Sequence, residues 1–561
     1  GFDMCEAPSI SELQTWMNYS PYRFIGIYIG GVLRNCSQPN LNSSWITQAA
    51  NQGWDFIPIW VGPQAPCSVY SSKFSLNTTT AYDQGEDEAA SAANTAAGLG
   101  RTGAIIYYNI EEFNAIGNPS CIAATKSFIS GWVAGLHSQG FTAGIYATSY
   151  NIKDYDFHGA SNRPDAIWAA EWPVGANSYN PYASPYGMYF PDNLWSGQRI
   201  RQYAGNLTNE TWGGLNFYPP DTIDADVADG PITDAPINDP LMTQLGVKVQ
   251  DMDLLTEREG WVMAGQQILW TGDGGSQWTN ITPLDASLTY INDVFFADTL
   301  NGWLIGQSEK QFVIFSTADG GKNWQNLPFN NLALDGYTRQ SSIYLNFIDT
   351  TTGWMVFKLP TSSNFSWGLL FRTGDGGKSW TPLNIPLGEP VHFANAQQGW
   401  LVGGPAGNQL FKTEDGGNTW QVVTIPVEMA ENTRLIYGSP ILTENERVLV
   451  PVLLKGEEQQ EVQIYTTQDD GVSWVLVGNI FPASASVLDN LTSNTVNWLQ
   501  NQDTTDLFLH YDGVLQLDFA TLETGMAYTS NGLCIEAECS IESHLLITHD
   551  SGQTWTEIDL P

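Results

Sequence analysis

The sequence predicts a multidomain chain: an N-terminal (β/α)8 barrel of the TIM type over residues 1–228, a Pro/Asp-rich linker over 229–245, and an all-β propeller over 246–561. Three observations predict this. With 561 residues the chain is too long for one hydrophobic core. Six copies of Thr-x-Asp-x-Gly-x-x-Trp punctuate its second half, at Thr271–Trp278, Thr317–Trp324, Thr373–Trp380, Thr413–Trp420, Thr467–Trp474 and Thr548–Trp555. Eight short apolar runs alternate with helical signals in the first half.

The runs are Gly1–Asp3, Phe24–Gly30, Trp54–Val61, Ala104–Ile110, Thr142–Ala147, Ala166–Glu171, Arg199–Tyr203 and Thr222–Asp226. Between them, Ser9 and Glu12 form a capping box, Glu86–Leu99 is Ala-rich with acids in its first turn, and Cys121–Ser138 follows Pro119-Ser120. Eight strands with crossovers in about 230 residues suit a barrel closed by eight βα units. In residues 229–245, Pro231, Pro236 and Pro240 alternate with Asp234 and Asp239.

The box-to-box Asp steps are 46, 56, 40, 54 and 81 residues, so most copies lie about one propeller blade apart. Each box reads as a tight hairpin turn: Asp caps backbone N–H groups, Gly takes a conformation closed to other residues, and Trp packs beneath. A Gly-Trp strand precedes the first four boxes, at Trp261, Trp303, Trp354 and Trp400. The 81-residue gap holds Thr495–Leu499 and Leu507–Gly513, which read as a blade whose box has decayed to His510-Tyr511-Asp512-Gly513. That gives seven blades, with six as the alternative.

The chain carries 21 basic and 59 acidic side chains, net −38, although only 14% of its residues are charged. Such a surface repels phosphate backbones and anionic membranes, which argues against nucleic acid as a partner. No run approaches the ~20 apolar residues that cross a bilayer. An even count of six cysteines favours an exported protein, and the chain starts at Gly1, as a mature or trimmed end would. Cys534 and Cys539 can close a small loop, while Cys5, Cys36, Cys67 and Cys121 allow three pairings. The sequons at Asn18, Asn42, Asn77, Asn206, Asn209, Asn280, Asn364 and Asn490 indicate polar loops.

Barrel chemistry sits at the C-terminal ends of strands. The acids there are Asp3, Glu111, Glu171 and the pair Asp224 and Asp226. Residues i and i+2 share a strand face, so Asn109 points with Glu111 and Asp224 with Asp226, while Glu112 reads as a solvated loop acid. Tyr28, Trp60, Tyr146, Trp168 and Tyr203 would wall a cleft suited to sugar faces. Carboxyls in an aromatic cleft are equipped for glycosidic cleavage: one stays protonated to donate to the leaving oxygen, the other stabilises or attacks the positive centre. For isolated strand-end acids the alternative role is a helix cap; Glu111, after a very apolar strand, is costly without a role.

The segments Gly1-Phe2-Asp3-Met4-Cys5-Glu6, Tyr28-Ile29-Gly30-Gly31, Cys36-Ser37-Gln38-Pro39, Ile57-Pro58-Ile59-Trp60, Ile106-Tyr107-Tyr108-Asn109-Ile110-Glu111 and Arg201-Gln202-Tyr203-Ala204 together resemble the glycoside-hydrolase-like domain of unknown function 1906, related to the family 25 lysozymes. The resemblance covers about residues 1–228 and implies a (β/α)8 fold with a pocket of Asp3, Glu111 and Asp224 or Asp226. Lysozymes of that type carry Asp-x-Glu on the fourth strand, with the Glu as proton donor; here the first carboxylate is the amide of Asn109. The boxes resemble those of sialidases, yet no Arg-Ile-Pro segment precedes them. With the Gly-Trp strands they look closer to the propellers of photosystem II stability and assembly factors, which implies a binding or spacing module.

The histidines (His137, His158, His392, His510, His544, His549) are scattered, no Cys/His set has zinc spacing, and no phosphate-cradling, dinucleotide or Gly-x-Ser-x-Gly motif occurs, so neither metal nor cofactor is expected. The leading expectation is a secreted, monomeric glycoside hydrolase acting on a cell-wall or extracellular polysaccharide. Glu111 would be its acid/base, Asp3, Asp224 or Asp226 the second carboxyl, and Asn109, Tyr28, Trp60, Tyr146, Trp168 and Gln202 its sugar subsites. The propeller would bind glycan or a surface protein. The rival expectation is a cell-surface protein that binds glycan or protein without cleavage.

Overall fold

The computed structural model describes residues 1–173, 179–207, 210–216, 223–230, 241–285, 288–308, 311–327, 329, 342–430, 433–442, 447–456, 460–480, 492–500, 507, 511, 513–535 and 538–561. The first half is a closed eight-stranded barrel: β1 Phe2–Asp3, β2 Phe24–Gly30, β3 Asp55–Trp60, β4 Ile105–Asn109, β5 Thr142–Thr148, β6 Ala166–Ala170, β7 Arg199–Leu207 and β8 Ile223–Asp229. The expected strand at Thr222–Asp226 is β8; Thr222 itself lies outside the described residues.

It is not a (β/α)8 barrel. Among the described residues, α-helices follow only the first five strands: α1 Ile10–Tyr19, α2 Ser43–Gln52, α3 Thr78–Gly98, α4 Pro119–Ser138 and the short α5 Ser149–Asp154. Between β6 and β8 no helix occurs among the described residues. β8 pairs antiparallel with both β7 and β1. A parallel return needs a long crossover, usually a helix; between Leu207 and Ile223 the described residues hold two short strands, Thr211–Trp212 and Leu215–Asn216, and no helix. A run such as Ile223–Asp226 carries no mark of its direction, so the sequence could not distinguish the two.

The local signals behave as chemistry requires. Ser9 Oγ accepts from Glu12 N at 3.3 Å while Ser9 N donates to Glu12 Oε2 at 2.7 Å, closing the box that starts α1. Ser9→Ala removes one half of this and is expected to cost about 0.5–2 kcal/mol, read as a lower urea midpoint with an unchanged slope. Two disulfides, Cys5–Cys36 and Cys67–Cys121, staple barrel loops.

Among the described residues six blades form the second half, in chain order over residues 249–280, 290–327, 342–383, 391–423, 434–480 and 514–557, the alternative to the seven that the box spacing predicted. Each box is the turn between a blade's third and fourth strands. In the first, Thr271 Oγ1 donates to Asp273 Oδ1 at 3.1 Å and accepts from Gly275 N at 2.8 Å, and Asp273 Oδ1 accepts from Gln277 N at 2.9 Å. Gly274 and Gly275 hold φ of 74° and 85°, where a side chain is strained. The strand tryptophans lock neighbouring blades. Trp303 stacks on Phe347 at 3.7 Å and donates to Gly376 O, and Trp354 stacks on Phe393 at 3.5 Å and donates to Gly416 O.

Thr495–Leu499, read as a strand of a seventh blade, lies inside helix α6, Ser493–Gln500. Its Trp498 stacks on Phe519 at 4.4 Å and donates to Ser551 O in the last box. Blade 5 has no Gly-Trp strand, and Trp498 fills the place that tryptophan would hold against blade 6. The decayed-box residues His510 and Asp512, the prolines and acids of 231–240, and the sequons at Asn209 and Asn490 lie outside the described residues.

Among the described residues, barrel and propeller meet over three contacts. The long hairpin Gly525–Ile535/Glu538–Thr548 of blade 6 reaches the barrel, where Gly213 N donates to Gly532 O and the Cys534–Cys539 disulfide is buried. Its outer part also pairs in parallel with Leu241–Gly246. Two buried ion pairs join blade 5 to the barrel's first loops, Arg434–Glu6 at 2.7 Å and Lys455–Glu12. The third contact is at the barrel's mouth.

Candidate active site

Strand alternation decides which side chains face the barrel axis. Tyr28, Ile59, Tyr107, Tyr146, Trp168 and Ile200 form the inner cluster, together with Phe365 of the propeller. Trp60, expected as a subsite, has the opposite parity: it packs with the outer core, and its Nε1 donates to Glu88 of α3. Ile59 holds the inward position. Tyr203 also lies in the outer core.

Asp3, Asp224, Asp226 and Glu111 are all buried, at 0%, 1%, 3% and 3% exposure. Asp3 ends β1 and lies directly across from Asp224 on β8. Because β8 runs antiparallel, its beginning, not its end, reaches the mouth; Asp226 lies one step deeper. Gln202 ties the group together, its Nε2 donating to Asp3 Oδ2 at 2.8 Å and to Asp224 Oδ2 at 3.1 Å. Tyr146 OH donates to Gln202 Oε1 at 2.9 Å, Tyr28 OH to Asp3 Oδ1 at 3.0 Å, and Trp168 Nε1 to Asp226 Oδ1 at 2.8 Å. Asn109 Nδ2 donates to Glu111 Oε1 at 2.8 Å, a favourable contact where an aspartate would repel. Glu171 stands apart, accepting from Tyr189 N, an anchor for its loop.

Sequence reasoning missed Gln64, fully buried after β3, whose Oε1 accepts from Glu111 N at 2.9 Å and whose Nε2 donates to Asn109 O at 2.8 Å. No local pattern marks it. It also missed Ser362 and Ser363 of the propeller. Ser362 N donates to Glu111 Oε1 at 3.3 Å, and Ser363 Oγ donates to Asp3 Oδ1. Beside Glu111 lies a slot of about 10 Å³, room for one water molecule, between Glu112, Tyr146, Trp172, Pro360 and Thr361.

Burial raises the pKa of Asp3, Asp224, Asp226 and Glu111. Asp3 is pushed up to about 6, although hydrogen bonds from Ser363 and Gln202 oppose the shift. Asp224 and Asp226 go well above the carboxylate range, by burial and then by the charge of Asp3. Glu111 rises by burial, against hydrogen bonds from Ser362 and Asn109. Glu112 goes up to about 7, by partial desolvation and then the charge of Glu111. Raised carboxyl pKa values mean the folded state holds these protons more tightly than the unfolded chain. Their stabilisation is complete below about pH 4 and is lost as pH rises through about 6 and beyond. The box aspartates run the other way: Asp375 and Asp415 are lowered by hydrogen bonds from Ser379 and Thr419, stabilisation that is lost as pH falls below about 4. The thermal midpoint is therefore expected to peak between about pH 4 and 6 in calorimetry, and a maximum above pH 7 would contradict the assignment.

Among the described residues no cluster of His, Cys, Asp or Glu could hold a metal ion, and no helix is long and apolar enough to cross a membrane.

Residues 14–228 match the family model of the Rv2525c-like, glycoside hydrolase-like domain, and residues 239–380 that of Photosynthesis system II assembly factor YCF48. No curated protein matches the chain. Among solved structures, YCF48 bound to D1 peptide is 18% identical, with 56% of this chain and 84% of that one covered and a TM-score of 0.31. The GH74 xyloglucanase of Xanthomonas campestris is 12% identical over 54% and 59%, TM-score 0.31. The catalytic domain of endolysin ply40, from bacteriophage P40 of Listeria monocytogenes, is 15% identical over 40% and 91%, TM-score 0.24. The chain is thus similar over residues 14–228 to the Rv2525c-like, glycoside hydrolase-like domain, and over residues 239–380 to the YCF48 assembly factor.

Proposed function

We propose that the barrel is a glycoside hydrolase domain acting on an extracellular or cell-wall polysaccharide. The observation that carries this reading is the convergence of Glu111 and Asp3 on two adjacent residues of one segment, Ser362 and Ser363, inside an aromatic wall. Glu111, whose pKa burial raises, donates its proton to the leaving oxygen. Asp3, with Asp224 across from it, is the second carboxyl that stabilises or attacks the positive centre. Gln202, Tyr28 and Tyr146 orient that pair and meet sugar hydroxyls. Asp226, with Trp168, supports them from below. Asn109 Oδ1 and Tyr107 OH are buried without a hydrogen-bond partner, an arrangement that suits a polar ligand or water. The match to a glycoside hydrolase-like family supports the same class. Three disulfides fit an extracellular setting, in which the acidic propeller serves as a binding module for glycan or protein.

The test is release of reducing ends from cell-wall and extracellular polysaccharides over about pH 3–7, with the chain as it stands and with its mouth opened as described below. Products from either form support the reading; none from both refutes it. A second reading, glycan binding without cleavage, is favoured by Asn109 in place of an acid. Retained polysaccharide without new reducing ends selects it.

A further inference from the structure

We propose that residues 360–366 of the propeller are an autoinhibitory finger, a tethered stand-in for the sugar that closes the barrel's mouth until it is withdrawn. The inference rests on reading that mouth as a glycan site.

The finger joins Gly353–Leu359 to Trp367–Thr373 in blade 3. Blade 1 makes the same connection with two residues, Gly265 and Gln266, and blade 3 takes seven, so the blade itself does not require this length. Its shape is set within the propeller. Thr361 Oγ1 donates to Phe365 O at 2.9 Å and Phe365 N to Ser362 O at 2.9 Å. At its base, Ser366 Oγ donates to Glu389 Oε1 at 2.6 Å, and Lys358 Nζ pairs with the same carboxylate at 3.0 Å. The finger is therefore preorganised before it meets the barrel.

What it presents is hydroxyl and amide, the chemistry of a sugar. Ser362 N meets Glu111, and Ser363 Oγ meets both Asp3 and Tyr28 OH. Asn364 Oδ1 accepts from Asn35 N at 2.7 Å, its carbonyl accepts from Asn35 Nδ2 at 2.9 Å, and its Nδ2 donates to Leu33 O at 2.9 Å. Phe365 then sets its ring 4.8 Å from Tyr70. A glycan bound across Glu111 and Asp3 would need the positions these groups hold. Asn364 is fully buried, so its sequon is inaccessible while the finger is seated.

Two forms of the full chain test this: Ser363→Gly with Phe365→Ala, and a finger shortened by replacing residues 361–365 with an Asn-Gly turn. Asp3 and Glu111 are labelled with a water-soluble carbodiimide and an amine, and the modified peptides are quantified against the unaltered chain. Labelling of both carboxyls is expected to rise severalfold in both forms, with the barrel's melting transition kept. Labelling that stays at the starting level in both forms overturns the proposal. So does a barrel that unfolds without the finger while the propeller remains folded, since the segment would then be barrel core. If labelling rises and polysaccharide is neither cut nor bound, the finger stands and the hydrolase reading falls.

Discussion

In the finger-opened chain, Glu111→Gln is expected to lower polysaccharide hydrolysis by about 10²–10⁴-fold, the usual loss when a proton donor is removed. The barrier change follows from what Glu111 does in each state. It is buried, its pKa is raised, and it accepts from Asn109 Nδ2 and Ser362 N. Glutamine keeps the volume and one acceptor oxygen, and its amide can donate to Asn109 Oδ1, which has no partner. Glutamine is neutral at every pH, so the thermal midpoint should hold where Glu111 is protonated and rise at higher pH, where the parent would bury an ionised carboxylate. Activity of the parent should decline as pH rises through the raised pKa of Glu111, because only the protonated form donates. Reducing-end release and calorimetry on the same pair of proteins check both halves. Turnover near the parent level would remove Glu111 from the chemistry. A large fall in the midpoint would mean that the substitution acts through folding.

The parts of this site that the sequence discloses are those that local pattern controls. Apolar runs place β1 to β7 within a few residues, and their last acids mark the mouth, because a carboxyl at the end of a buried strand needs a reason to be there. Capping residues likewise disclose α1 before Leu13 and Trp16. Strand direction is not local: Asp224 and Asp226 were expected at the end of a parallel strand and sit near the start of an antiparallel one, at the same mouth by a different route. Parity is local: Ile57 and Ile59 face the inner cluster and alternate with Phe56 and Trp60, which face the outer core, so the strand's last aromatic points away from the mouth. Trp498 shows the opposite limit. Its packing against Phe519 reproduces what a Gly-Trp strand does, yet it comes from a helix, because a propeller needs the indole at that place and is indifferent to the backbone that delivers it. The finger was invisible for a different reason. Ser362 and Ser363 lie about 250 to 360 residues from the acids they touch, and a Ser-Ser-Asn loop in a blade gives no sign of its partner.

The second large effect is expected at the joint that holds the finger in place. Arg434→Met should destabilise the barrel–propeller interface by about 3–5 kcal/mol, the cost of leaving one charge of a buried pair alone. Arg434 Nε donates to Glu6 Oε2 at 2.7 Å with both side chains almost fully buried, and Glu6 Oε1 accepts from Ser37, through its backbone N at 3.1 Å and its hydroxyl, with the Arg34 charge also within reach. Glu6 stands next to the Cys5–Cys36 staple, so the loop that carries it cannot swing the carboxylate out to water cheaply. Lys455 and Glu12 form a second buried pair between the same two units; burial alone would raise the Glu12 pKa, and Lys455 more than offsets it. That neighbour still tethers the two units, more loosely, while the first pair is broken. Replacing both partners, Glu6→Gln with Arg434→Met, should recover most of the loss, since a neutral pair carries no stranded charge. Urea unfolding of the two single forms and the double form measures the coupling. Because the finger and this ion pair belong to one interface, the single Arg434→Met form should also admit more carbodiimide to Asp3, and the double form should not. If the double form is as unstable as the single, the two side chains act through packing, and domain separation is then not governed by charge at this joint.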